Sequence, residues 1–284
     1  MSITTEAWLV VACFAAGVIG AAATIRRSIT IASPRLMRTN VSGRAVPAVL
    51  AGPLSLGMGA AAVLISSFGG DLAHEAQRIV VAVGMAASIM AAAGLYDDLR
   101  GDEKSRGFKG HLKEAAALRL SGGLVKMAAG AVAGLIAGFV IAGGREATEI
   151  ALVVEVALLV ALASNLVNLL DRAPGRASKV VLLAALPLVL FGHPGWTLGA
   201  AGLLGALLVC TPVDLAEQAM LGDAGANALG ALVGVGIAVG VGERGRLIAI
   251  AILLAANLAS ERWSFSRLIE STPPLRALDR WGRS

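Results

Sequence analysis

Three acidic sites in this chain have the residue types and spacing to do chemistry. Gly94-Leu95-Tyr96-Asp97-Asp98 ends an apolar run in two adjacent carboxylates. Asn165-Leu166-Val167-Asn168-Leu169-Leu170-Asp171 carries two amides and a carboxylate at the end of another, and Leu221-Gly222-Asp223-Ala224-Gly225-Ala226-Asn227 opens a third. On a helix, Asn168 and Asp171 project from one face. Carboxylate oxygens suit Mg²⁺, which takes one or two carboxylates together with waters and substrate phosphates. Lys and Arg side chains can hold the remaining phosphate oxygens. The stretch after Asp98 supplies Arg100, Lys104, Arg106, Lys109, His111 and Lys113. The Gly222 to Gly225 turn lets backbone N–H groups approach a ligand, and the helix that follows favours an anion at its start. Each feature alone has a plainer reading: a solvated helix end, interhelical hydrogen bonding by Asn165 and Asn168, or basic residues that set orientation. Together they point to handling of phosphate groups.

The elements that must position these residues are membrane helices. Of the 284 residues, 57% are hydrophobic and 15% charged, and the mean hydropathy is +0.78. Soluble domains are about 45–50% apolar and about 25% charged, so a soluble enzyme, a disordered tail and a fibrous repeat are excluded. Aromatic residues are scarce and Gly abundant, which favours close helix–helix contact. The fold class expected is all-α, a polytopic transmembrane bundle.

A crossing helix needs about 20 apolar residues. Nine such runs lie near 7–25, 47–67, 78–96, 122–142, 149–170, 178–192, 195–212, 226–242 and 246–261. The pair around His193 and Pro194 also reads as one broken element. Arg26 and Arg27 follow the first run and Glu6 precedes it. A signal peptide has the reverse polarity, so this is read as a retained helix with its N-terminus outside. Alternation then places nineteen Lys and Arg on one side and four on the other, which makes the first side cytoplasmic. All three acidic sites fall on that face.

Residues 1–261 read as one membrane domain and 262–284 as a cytoplasmic tail. Leu275, Leu278 and Trp281 recur at three-residue spacing there, with Arg276, Arg280 and Arg283 between them. This is the pattern of an amphipathic segment on an anionic leaflet. The net charge of +5 follows from topology, and no nucleic-acid motif accompanies it. Cys13 and Cys210 sit in apolar runs and read as core residues, not as a disulfide or metal pair. His74 and His193 lie on the outer side and read as structural. Glu155 stands nearly alone at depth, which argues against a transport path lined by ionisable groups.

With these residues in view, the chain resembles the polyprenyl-phosphate N-acetylhexosamine-1-phosphate transferase superfamily, which includes phospho-N-acetylmuramoyl-pentapeptide transferase. The resemblance covers about residues 38 to 235. Arg38-Thr39-Asn40 through Gly43-Arg44-Ala45-Val46-Pro47 is similar to the family's first cytoplasmic loop, Gly94 to Asp98 to its Asp-Asp motif, and Arg106-Gly107-Phe108 to Lys113 to its basic loop. Asn165 to Asp171 fits its Asn-x-x-Asn-x-x-Asp motif, and Gly222-Asp223-Ala224-Gly225 its third acidic motif. Two departures stand out. Arg172-Ala173-Pro174-Gly175 replaces the family's Gly-x-Asp-Gly, and no histidine follows the ninth run, where the family has a histidine-rich motif and then a tenth helix.

The resemblance implies a bacterial plasma-membrane enzyme with its active site facing the cytoplasm. It would transfer a sugar-1-phosphate from a UDP-amino sugar to polyprenyl (undecaprenyl) phosphate in cell-envelope polymer synthesis, with Mg²⁺, or Mn²⁺, as cofactor and a homodimer as assembly. Asp98 and Asp223 would be metal ligands. Asp97 would position the acceptor phosphate, and Asn165, Asn168 and Asp171 would orient the nucleotide or complete the metal shell. Lys113, Arg106, Lys109 and His111 would contact phosphates, and Gly222 and Gly225 would form the turn beside the substrate. The rival expectation, drawn from the missing histidines, is a non-catalytic scaffold that binds polyprenyl phosphate or the nucleotide sugar.

Overall fold

The computed structural model describes residues 3–100, 122–143 and 147–283. Each of the nine apolar runs contains a helix: α1 (Ile3–Thr30), α2 (Ala51–Phe68), α3 (His74–Arg100), α4 (Gly122–Ala142), α5 (Ala147–Leu170), α6 (Arg176–Phe191), α7 (Pro194–Leu215), α8 (Gly222–Gly240) and α9 (Glu243–Ser260). Two short helices, α10 (Phe265–Ser271) and α11 (Pro273–Arg280), follow. Among the described residues, α1 to α5, α7 and α8 are long and apolar enough to cross a membrane. The eighth candidate is α9 together with α10, bent by 96° between them. α6, at 16 residues, is about 24 Å long, short of the roughly 30 Å hydrocarbon layer. The protein is therefore a multi-pass α-helical membrane protein with seven or eight such helices among the described residues.

The His193 region resolves into two helices. Gly192 ends α6, Pro194 starts α7, and His193 Nδ1 accepts the Gly195 N–H at 3.0 Å. Proline suits the first turn of α7 because its missing N–H would have had no helical partner there.

α8 is the centre of the bundle: 83% of its span is buried, against 28% for α1. Its small residues allow this. A Cβ on Gly230 would overlap the Ser164 backbone of α5, and one on Gly234 would overlap Val160. Ser164 Oγ donates to the Asn227 carbonyl at 3.1 Å across the same contact. Trp196 of α7 is fully buried and donates its indole N–H to the Leu232 carbonyl at 2.9 Å. Glu155, which has no evident partner in the sequence, is paired with Arg246 of α9.

Between α1 and α2 the chain makes an antiparallel hairpin, β1 (Met37–Thr39) with β2 (Ala45–Pro47), in register Arg38↔Val46. The apolar run that begins near residue 47 becomes helical only at Ala51 because its first residues are held in strand pairing. Met220 N–H donates to the Pro47 carbonyl at 3.0 Å, and Leu50 N–H to the Met220 carbonyl at 3.2 Å. The hairpin is thereby fixed to the segment that enters α8.

Candidate functional site

The C-terminal end of α3, the start of α4, the end of α5 and the start of α8 meet at one end of the bundle beside the hairpin. Gly94 makes this approach possible. A Cβ there would overlap the backbone of Asp223 and Ala224, so α3 and α8 cross at a distance that only glycine permits. Asp98, one turn on, is 3% exposed and accepts the Ala224 N–H at 3.1 Å. The start of a helix leaves N–H groups without intrahelical partners and favours negative charge. The anion it receives here is the carboxylate of Asp98. Gly222, at φ 68, takes the left-handed turn that opens α8, and a Cβ on it would meet both Ala48 and Asp98. Gly225 sits one turn into the helix, packed against Leu221 and Leu54.

Lys126, near the start of α4, joins the acidic sites. Its ammonium lies 2.5 Å from Asp97 Oδ2 and also contacts Asp223 Oδ2. Arg38 of β1 donates to the Asp98 carbonyl and stands 3.6 Å from Asp98 Oδ1. Asp171 follows α5 and takes a hydrogen bond from the Gly222 N–H. Burial pushes its carboxyl well above the ordinary carboxylate range, and the charges of Asp214 and Asp223 push the same way. Lys126 thus joins Asp97 to Asp223, Arg38 stands beside Asp98, and Asp171 is tied to the same turn through the Gly222 N–H. The two carboxylates that converge on the Lys126 ammonium form a donor set a hard divalent cation also accepts. Among the described residues, no group of three or more His, Cys, Asp or Glu side chains is arranged to hold a metal ion. Any ion bound here would complete its shell from water or ligand oxygens.

Asn168 lies in the last turn of α5, half-buried, one turn before Asp171. Asn165 is exposed and donates to Asn257 Oδ1 of α9 at 2.5 Å. Asn257 in turn donates to the Leu162 carbonyl at 3.1 Å. Asn165 is therefore engaged between helices, away from the four carboxylates. Arg106, Lys109, His111 and Lys113 lie outside the described residues.

The spacing of the acidic sites leaves several polar residues unassigned that the fold brings in. Asp214, 3% exposed at the end of α7, accepts the Ser178 hydroxyl at 3.1 Å. Glu217 has φ 54, a left-handed backbone uncommon outside glycine. Its carboxylate takes the Asn40 amide at 2.5 Å and the Ser42 hydroxyl at 3.3 Å from the hairpin tip. Asn40, Asp171, Arg172, Asp214, Glu217 and Met220 are among the residues lining a small open recess beside the acidic cluster. Asn227, one turn below Asp223 and 1% exposed, has a side-chain Nδ2 with no hydrogen-bond partner. Lys126 is foreshadowed as a cation at the start of an apolar run, and Asn227 closes the third acidic segment. Asp214 and Glu217 lie in a stretch with no Lys or Arg, and no spacing marks them. No family model matches the chain, and no curated protein matches it.

Proposed function

We propose that the protein is a polyprenyl-phosphate glycosyl-1-phosphate transferase working at the cytoplasmic face of a bacterial plasma membrane. The observation that carries this reading is the convergence of Asp97 and Asp223 on Lys126, with Asp98 beside Arg38 and Asp171 on the Gly222 N–H, at one end of a membrane-crossing bundle. In this reading the chain crosses the membrane nine times with its N-terminus outside, the short α6 crossing where the bilayer thins around it, as the nineteen-to-four division of Lys and Arg supports.

A phosphate oxygen of the polyprenyl phosphate attacks the sugar-linked phosphorus of a UDP-amino sugar. The bond from that phosphorus to the bridging oxygen breaks, UMP leaves with the electron pair, and a lipid-linked pyrophosphoryl sugar remains. The second pKa of a phosphate monoester is about 6, so the acceptor is largely dianionic near neutral pH and needs no strong base. The protein's part is positioning and charge stabilisation. Lys126 offers an ammonium to the transferring phosphoryl group, Arg38 holds the Asp98 end of α3 in place, and Asp97 orients the acceptor. Asp223 would hold Mg²⁺ together with Asp97, the carboxylate that shares Lys126 with it, in place of the Asp98 that the resemblance implies; the ion would supply neutralisation of phosphate charge.

The deciding experiment measures UMP release by purified protein supplied with undecaprenyl phosphate, Mg²⁺ and a panel of UDP-sugars, beside Asp98→Asn and Asp223→Asn. Donor-specific release that both variants lack supports the transferase. Near-normal turnover in Asp223→Asn sinks its assignment as a metal ligand. The absence of histidine from residues 261–284 favours a second reading, a non-catalytic scaffold that binds the same lipid phosphate. Lipid-phosphate binding with no release from any donor would establish that reading instead.

A further inference from the structure

α10 and α11 turn the chain back along the end of the bundle that holds the acidic cluster. α10 leaves α9 at 96°. α9 packs beside α5, a candidate crossing helix, so α10 runs across the bundle, close to the membrane plane. Trp263, Leu268, Leu275, Leu278 and Trp281 are between 44% and 73% exposed on this stretch. Residues 262–283 carry five arginines against Glu270 and Asp279. Glu270 pairs with Arg280, and Asp279 is turned inward and buried. What faces outward is apolar and basic, with a tryptophan near each end, the composition of a segment seated at a membrane interface.

The inward side is a latch. Arg176 Nε and its terminal NH2 hold the two Asp279 oxygens at 2.8 and 3.1 Å, and Arg283 reaches the same carboxylate at 2.6 Å. Arg176 also donates to Ser266 Oγ at 3.0 Å. Lys179 Nζ donates to the carbonyls of Leu278, Asp279 and Trp281 at 3.0, 2.6 and 3.0 Å, the favoured place for a cation at a helix C-terminus. Arg283 Nε donates to the Pro174 carbonyl at 3.2 Å. Burial pushes the Asp279 carboxyl up, but the Arg176 hydrogen bonds and the surrounding cations outweigh it and hold it below its ordinary value. The polar anchors named here, Pro174, Arg176 and Lys179, lie just after Asp171. Both partners also lie where the chain departs from the transferase pattern: the Arg172-Ala173-Pro174-Gly175 stretch and the tail without histidine.

We propose that α10–α11 is a docking arm for anionic phospholipid headgroups, and that the Asp279 latch carries docking into the loop after Asp171. Charge complementarity selects the partner: on this stretch Glu270 is taken by Arg280 and Asp279 is turned inward, so arginines predominate on the outward face, and the inner leaflet presents negative charge to basic side chains close to it. The proposal does not depend on the transferase reading, since neither the lipid contact nor the latch needs catalysis.

The test uses the full chain with Trp281→Cys carrying an environment-sensitive fluorophore. Cys13 and Cys210 are buried and leave the introduced thiol as the site of labelling. In nanodiscs containing phosphatidylglycerol the label should move to the blue and be quenched by lipid-borne spin labels, and in phosphatidylcholine alone it should be quenched less. Arg267→Gln combined with Arg276→Gln should shift the docked–undocked balance on the order of tenfold. Hydrogen exchange in residues 171–179 should be slower in the anionic discs. Asp279→Asn should remove that slowing while the label still inserts. A water-exposed label in anionic discs, or equal insertion in both lipids, overturns the docking arm. Exchange at 171–179 that ignores lipid charge overturns the coupling. Concentration-dependent burial of the label in detergent would assign this face to a second copy of the chain and overturn the lipid assignment.

Discussion

Lys126 changes the meaning of the acidic residues around it. A carboxylate pair at the end of an apolar helix is costly unless a cation is near, and Lys126 is the cation that Asp97 and Asp223 share. Removing it leaves both carboxylates without that partner. Lys126→Met should lower UMP release by about 10²–10³-fold, the scale of losing one charge-stabilising donor. Its thermal midpoint should gain more from added Mg²⁺ than that of the parent; equal gains would argue that the carboxylates do not receive the ion. Asp171 gives a pH prediction of definite sign. Its folded carboxyl titrates above the ordinary 3.8, so the proton is bound more tightly in the folded chain than in the unfolded one. The stability it contributes is fully present below 3.8 and is lost as pH rises through the raised value. Asp171→Asn should flatten this part of the decline in thermal midpoint, measured in EDTA from acid to mildly alkaline pH. An unchanged slope would show that Asp171 is not held protonated.

At the scale of elements, the site depends on how closely α3 and α8 cross. Gly94 is where that distance is set, because a side chain there meets the Asp223 backbone and not a movable side chain. Gly94→Val should cost about 1–3 kcal/mol as an overpacked contact. It should also part Asp98 from the Ala224 N–H, so activity should fall further than the thermal midpoint alone would suggest. The same crossing gives Asp98 its structural part. Its carboxylate caps α8 as an anion, which is why the helix begins at Gly222 and not four residues later, where the uninterrupted apolar run begins. The α5–α9 contact uses the opposite strategy, with polar pairs, Glu155 with Arg246 and Asn165 with Asn257, binding two long apolar faces.

For the whole molecule, the acidic cluster, the hairpin and the tail share one end of the bundle, and the proposed orientation puts that end in the cytoplasm. A membrane-impermeant maleimide should label Ser42→Cys at the hairpin tip from the cytoplasmic side only. Gly70→Cys, in the turn between α2 and α3, should be labelled from the outside only. The reverse pattern would invert the proposed orientation and move the candidate site to the other face. Both native cysteines are buried, so background labelling should be low.

Composition and apolar run length alone determined a helical membrane protein, because in a bilayer each backbone polar group must be satisfied within its own helix. They also located helices in all nine runs, and the order of residue types placed Asp97, Asp98, Asp171 and Asp223 at helix ends. The tertiary structure decided what those side chains touch. Asn165 and Asn168 are equivalent in the sequence, yet Asn165 is exposed and turns to Asn257 while Asn168 is half-buried in the last turn of α5. The 96° break after α9 likewise decides that the tail returns to Asp279's partners in residues 174–179. Lys126 reaches Asp223 across 97 residues of chain. Pairings of this kind depend on which faces of packed helices meet, and that is set by many small contacts at glycine and alanine whose sum no single stretch of sequence displays.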